Sequence, residues 1–202
     1  FGRGRERDGE ARAAFAWENR EWLEDYALFM ALKAHFGGVC FTQWPEDIRL
    51  RRPEALAYYA QQLAEETAFY TYMQYLFFRQ WGALKAYATE RGVRFIGDLP
   101  IYVALDSADV WARPDIFQLA EDRRPLWVSG VPPDYFAADG QLWGNPIYDW
   151  EALAREGYGW WLSRVRGATR LYDVLRIDHF RGLESYWRVR AGESTARTGE
   201  WA

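Results

Sequence analysis

Arg176-Ile177-Asp178-His179-Phe180-Arg181-Gly182 closes the apolar run of residues 171–177 and places an acid beyond a buried strand, with an arginine two residues before it. Side chains alternate along a strand. A strand ending at Ile177 therefore puts Leu175 and Ile177 on one face and Arg176 and Asp178 on the other. A guanidinium fixed beside a carboxylate lowers the acid's pKa and orients its oxygens. That suits a nucleophile that must stay ionised, and it ill suits a general acid. Taken alone, such a step at a strand end reads as a structural ion pair, so other segments have to decide.

Upstream of it, residues 158–170 read as a helix, preceded by a helix of residues 150–156 that Asp149 caps. Residues 93–96 read as a short buried strand, ended by Gly97-Asp98-Leu99-Pro100. Between that strand and the helices lie some fifty residues, 100–150, of Pro, Gly, Asp and Trp character, and a loop this long is usually functional. Within it, Ala138-Asp139-Gly140-Gln141 has the chemistry of a hairpin turn, and Ser107 that of an N-cap to a short helical turn through Trp111. Earlier in the chain, the spacing predicts a helix over 20–36, stopped by Gly37-Gly38. Pro53 opens a long helical stretch over 54–91, divided or kinked near Thr67 or Gly82. Helix, strand, excursion, helix, strand is the logic of a parallel βα sheet. Both candidate acids, Asp98 and Asp178, then stand at the C-terminal ends of strands, which in a (β/α)8 barrel is the catalytic face.

Composition narrows the function. The 202 residues carry a net charge of −4, with a sequence pI near 5.4, so no global basic field recruits nucleic acid. The one basic cluster, between Arg3 and Arg12, is interleaved with Glu6, Asp8 and Glu10 and reads as a solvated terminus. No apolar run approaches the roughly 20 residues that span a bilayer, and no signal-peptide pattern is visible, so no membrane partner is expected. Cys40 is alone, which fits a reducing cytoplasm. Two histidines and one cysteine are too few for a zinc centre of the usual kind, and neither a metal nor another cofactor is expected. Twelve Trp, thirteen Tyr and twelve Phe make 18% of the chain, more than packing demands. Trp127, Tyr135, Phe136, Trp143 and Tyr148 sit among Gly, Pro and Asp, where no regular element is expected to bury them. Flat apolar faces beside carboxylates suit sugar rings; a protein-binding surface is the competing reading.

Six strings, in order, resemble one family: Leu76-Phe77-Phe78-Arg79-Gln80-Trp81, Gly97-Asp98-Leu99-Pro100-Ile101-Tyr102-Val103, Asp106-Ser107-Ala108-Asp109-Val110-Trp111, Gly130-Val131-Pro132-Pro133-Asp134-Tyr135-Phe136, Gly140-Gln141-Leu142-Trp143-Gly144-Asn145-Pro146 and the segment 176–182. They are similar to those of the 4-α-glucanotransferases called amylomaltases or disproportionating enzymes, glycoside hydrolase family 77. The resemblance covers nearly the whole chain. It implies an α/β fold, a partial (β/α)8 TIM barrel with helical insertions, truncated at both ends. Residues 1–92 are then a mainly helical subdomain with barrel helices, and residues 93–202 part of the catalytic barrel, including a lid-like loop at 100–150.

By the same resemblance, Asp178 is the nucleophile that forms a covalent glucosyl-enzyme, and Arg176 matches the arginine that holds it ionised. Asp98 matches an acid that supports substrate binding. Trp143 matches a tryptophan lining the donor site. Asp134, Tyr135 and Phe136 match a mobile loop over bound glucan. His179 is either placed to reach sugar hydroxyls or packed behind the strand. His35, beside no acid cluster, is a bystander. The implied partners are α-1,4-glucans and the implied reaction is retaining transfer to a 4-OH acceptor. The family's acid/base glutamate comes from a later strand. Glu184 is not given that role, and the chain alone is expected to be inactive. An α-amylase-type hydrolase and a non-catalytic carbohydrate-binding protein are the alternatives.

Overall fold

The computed structural model describes residues 8–202, which divide between Val93 and Arg94 into two units. Arg3, Arg5, Glu6 and Arg7 of the basic cluster lie outside the described residues. From Gly9 the rest of that cluster is helical: α1 spans Gly9–Glu18 and buries none of its residues. Helix α2, Arg20–His35, buries Leu23, Ala27, Leu28, Phe29, Ala31 and Leu32 and ends at Gly37 and Gly38, both at positive φ. The chain then folds back, and Phe41, Trp44 and Ile48 (the last on the short α3, Glu46–Arg49) plug the same core. Trp44 stands 5.4 Å from both Phe29 and Phe36.

The long helical stretch is two helices, α4 (Pro53–Gln62) and α5 (Ala64–Thr89). The break falls at Leu63, not at Thr67 or Gly82. Leu63 leaves helical geometry at φ −108°, ψ 26°, and its buried side chain fixes the corner. Thr67 returns its amide to the Leu63 carbonyl, and the Thr71 hydroxyl back-bonds to Thr67, so that turn stays helical. Gly82 is simply carried inside α5, at a cost of about 1 kcal/mol relative to alanine.

The second unit holds two sheets. Strands β1 (Ile96–Leu99) and β4 (Val174–Ile177) pair in parallel, with Asp98 opposite Arg176. The expected strand at 93–96 is thus displaced toward the glycine. Gly97 and Leu99 are the buried alternates, whereas Val93 and Ile96 are exposed. A Cβ on Gly97 would lie 2.1 Å from the Tyr172 ring, so close packing selects glycine there. Helix α8 (Gly159–Leu171) packs on both strands. The described residues contain this one parallel pair and no closed barrel.

Residues 100–150 are more regular than their composition suggested. Ser107 caps α6 (Ala108–Ala112), and Asp149 caps α7 (Trp150–Arg155) through a 2.8 Å bond from the Ala152 amide. Strands β2 (Trp127–Val131) and β3 (Gln141–Pro146) form a hairpin. It joins β5 (Trp187–Arg190) and β6 (Glu200–Trp201) in an antiparallel sheet of order β3-β2-β5-β6. Gly140 at φ +68° makes the entry to β3, beside the Val131 carbonyl. Two of the aromatics that no regular element was expected to bury are packed in. Trp127 lies in β2 with the guanidiniums of Arg188 and Arg190 over its ring, and Tyr148 is fully buried among Phe117, Trp150, Trp160 and Trp161. Among the described residues no helix is long and apolar enough to cross a membrane.

Candidate active site

Parallel register puts Asp98 and Arg176 side by side on one face of the β1–β4 pair. The guanidinium meets the carboxylate edge-on: Nε donates to Oδ1 at 2.9 Å and Nη2 to Oδ2 at 2.7 Å. This hydrogen-bonded fork holds the Asp98 carboxyl below its usual range and raises the Arg176 guanidinium. Arg176 was expected to clamp Asp178, its neighbour along the strand. It clamps the acid of the adjacent strand instead, because a cross-strand partner in register is closer to a long side chain than a residue two places on. Asp178 adds only a weaker, through-space attraction to Arg176. Its own backbone extends the ladder one step past β4, with its amide donating to the Leu99 carbonyl at 3.0 Å. Asp98, Arg176 and Asp178 therefore share the exposed end of the parallel pair.

After Asp178 the chain turns sharply. His179 takes a left-handed conformation (φ 52°, ψ 46°), and the Gly182 amide donates back to the His179 carbonyl at 2.9 Å. The turn brings the His179 ring against Trp143 of β3, edge to face with centroids 4.9 Å apart. The His179 ring is thus half-buried against Trp143. Trp143 remains 38% exposed, and its indole nitrogen donates to Gln141 Oε1 at 3.1 Å. With its N–H engaged along the strand, the ring's exposed surface is apolar.

Asp134, Tyr135 and Phe136 lie in the loop between β2 and β3. Asp134 Oδ1 accepts from the amides of Phe136 (2.8 Å) and Ala137 (2.7 Å), a turn built on the acid's own side chain. It presents Tyr135 and Phe136 outward, 97% and 94% exposed and in contact with each other at 5.7 Å. The structure gathers Asp98, Arg176 and Asp178 at the strand ends and joins His179 to Trp143. Tyr135 and Phe136 are left projecting from their loop.

Three neighbours of this site were not singled out from sequence: Ile101, Tyr102 and Gln141. Ile101 and Tyr102 directly follow the Asp98 turn, and both are buried. Tyr102 lies 6.4 Å from Trp143. Their position in the string that carries Asp98 was the available signal. Gln141 precedes Trp143 by two, so strand alternation puts both on one face. Among the described residues no cluster of three or more His, Cys, Asp or Glu could hold a metal ion.

A family model described as 4-alpha-glucanotransferase matches residues 2–202. The chain is 50% identical over 196 residues to a 4-alpha-glucanotransferase of Clostridium butyricum, covering 96% of this chain and 40% of that protein. It is 54% identical over 192 residues to that of Thermus thermophilus, covering 95% and 38%. The solved structure of the amylomaltase from Streptococcus agalactiae in complex with acarbose superposes with a TM-score of 0.93 at 44% identity, over 98% of this chain and 40% of that one. The chain therefore spans about two fifths of the length of these relatives.

Proposed function

This chain belongs to the 4-alpha-glucanotransferase family, and on that premise we propose that it carries the nucleophile side of a retaining glucan-transfer site. The observation that carries the reading is the Asp98–Arg176 pair on one face of two parallel strands, with Asp178 exposed just past their C-terminal ends. Those strands are neighbouring staves of a (β/α)8 barrel. In support, Ile96 and Val174, on the same face as the acids, are 73% and 48% exposed. Parallel strands are ordinarily covered on both faces, and a barrel turns this one inward onto further strands. Residues 1–92 are then helical insertions and barrel helices, and residues 93–202 barrel, with the 100–150 segment over the site.

The substrate is an α-1,4-glucan, a reading supported by the acarbose complex of the streptococcal relative. Asp178 attacks the anomeric carbon while an acid protonates the departing 4-oxygen, leaving a glucosyl ester on the Asp178 carboxylate. The 4-OH of a second glucan, deprotonated by the same residue now acting as base, displaces Asp178 and restores the α-linkage. That acid/base residue must stand about 5 to 5.5 Å from the nucleophile. By family resemblance it comes from a later strand, so Glu184 is not assigned the role. Arg176 acts one step removed from the chemistry. By fixing Asp98 it gives the floor of the site one ordered carboxylate that can accept from sugar hydroxyls. Trp143 offers an apolar face to a sugar ring. Tyr135 and Phe136 close over bound glucan, excluding the water that would turn transfer into hydrolysis. Unpaired Cys40 suits a reducing cytoplasm.

A hybrid tests this reading. Residues 1–202 replace the matching part of the streptococcal amylomaltase, and the product is assayed on maltotriose. Disproportionation into shorter and longer glucans is expected, with Asp178→Asn lowering kcat by roughly 10⁴-fold. Net new reducing ends without longer products would instead mark a hydrolase. Glucan binding with no turnover in the correctly folded hybrid would mark a non-catalytic binding protein.

A further inference from the structure

We propose that Tyr148 is a positioning residue for this site: its hydroxyl, acting through the carbonyl of Ile101, sets where the His179 ring stands against Trp143. The inference rests on reading residues 178–182 as the nucleophile segment.

Tyr148 lies two residues past β3, and its ring is wholly buried, stacked on Phe117 at 5.1 Å and on Tyr102 at 6.0 Å. A phenol in such surroundings needs a partner for its hydroxyl. That partner is the Ile101 carbonyl, at 2.8 Å. Burial pushes the phenol's pKa up, so the group stays protonated and remains a donor. Arg164 of α8 donates Nη1 to the same oxygen at 3.1 Å. Two donors from separate parts of the chain thus converge on one carbonyl, in the turn that follows Asp98 and Pro100. A third bond, from Asn145 Nδ2 to the Val103 carbonyl at 2.9 Å, ties the end of this turn to β3.

Two contacts lead from that turn to the site. The Ile101 side chain packs on Gly182 so closely that an added Cβ would stand 2.7 Å from Ile101 Cδ1 and 3.0 Å from His179 Cδ2. Ile101, Gly182 and His179 therefore form one contact with no room for a further methyl group. On the other side, Tyr102 bridges Tyr148 and Trp143. His179 itself is held at φ 52°, a conformation a non-glycine residue keeps only where its surroundings impose it. Loosening the Ile101 carbonyl removes part of what imposes it, one residue from Asp178. Phenylalanine at 148 would fill the same volume without the hydrogen bond.

The chain has two histidines, which makes the test direct. With histidine labelled in ¹³C and ¹⁵N, His35 and His179 give two imidazole sets, assigned by His35→Gln. The His179 set is displaced by the ring current of Trp143. His35, against Phe36 and Tyr59 in the other unit, serves as the internal reference. In Tyr148→Phe the His179 set is expected to lose most of its displacement and to broaden, while the His35 set stays in place. A purely structural role would lower the melting temperature yet leave the His179 set unmoved in the folded variant, and that result overturns the proposal. Should Tyr148→Phe fail to fold, both sets collapse to unstructured positions. Arg164→Met, which removes the other donor to the same oxygen, then carries the test with the same two outcomes. The nucleophile reading is judged separately, by turnover in the Asp178→Asn hybrid, so either can fail without the other.

Discussion

Arg176 has an acid two residues along its own strand and another directly across the sheet, and the register decides which it holds. Alternation along one strand relates Arg176 to Asp178 but carries no information about the neighbouring strand. Pairing of Asp98 with Arg176 follows from parallel register, a long-range fact that local spacing does not encode. The electrostatic consequence is specific. Asp98 has its folded-state pKa lowered by the Arg176 hydrogen bonds, against an unfolded value near 3.9. Its contribution to stability is therefore complete above that value and is lost as pH falls through the lowered one. Asp98→Asn is expected to melt below the parent protein at neutral pH, with the two melting temperatures converging below the ordinary carboxylate range. Parallel curves throughout would show that the fork contributes nothing to stability. The left-handed His179 was likewise illegible, since only packing from Ile101 and Gly182 reveals why a non-glycine residue tolerates it.

At the scale of elements, legibility followed local chemistry. Ser107 and Asp149 announce their helices because a cap is a contact between near neighbours. The strand at 174–177 was readable from its apolar run. Strands β2 and β3 were not, since Trp127-Val128-Ser129-Gly130-Val131 and Gln141-Leu142-Trp143-Gly144-Asn145-Pro146 mix glycine, polar and aromatic residues without clean alternation. Their pairing is long-range: Gly130 sits opposite Leu142, where an added Cβ would lie 2.5 Å from the Gln141 carbonyl. The β2–β3 hairpin matters because it carries both Trp143 and the projecting Tyr135–Phe136 pair. Asp134 holds that pair's turn with two hydrogen bonds, each contributing about 1 kcal/mol net. Asp134→Ala is expected to speed amide exchange at Phe136 and Ala137 roughly five-fold per lost bond. Unchanged exchange at both amides would mean the backbone alone fixes the turn.

At the scale of the molecule, the aromatic rings of the second unit include both packed and open groups. Trp150 and Trp160, both half-buried, pack with buried Phe117, Tyr148 and Trp161, whereas Trp143, Tyr135 and Phe136 stay open on the hairpin. Composition alone could not separate packing from recognition. The parallel pair presents its acids beside exposed Ile96 and Val174, a face that suits a barrel interior. The barrel and the transferase chemistry entered through the six strings and not through periodicity. The 202-residue chain by itself is expected to leave maltotriose unchanged, since the proposed mechanism needs an acid/base residue that the family resemblance places on a later strand. Longer and shorter products from the isolated chain, abolished by Asp178→Asn, would refute that. The covalent role of Asp178 is open to a trapping experiment. The hybrid would be incubated with a fluorinated glucosyl donor that forms the glycosyl-enzyme faster than it breaks down, then digested and analysed by peptide mass spectrometry. The predicted result is a single glucosyl adduct on the peptide containing Asp178, absent in Asp178→Asn; an adduct on any other carboxylate would contradict the account.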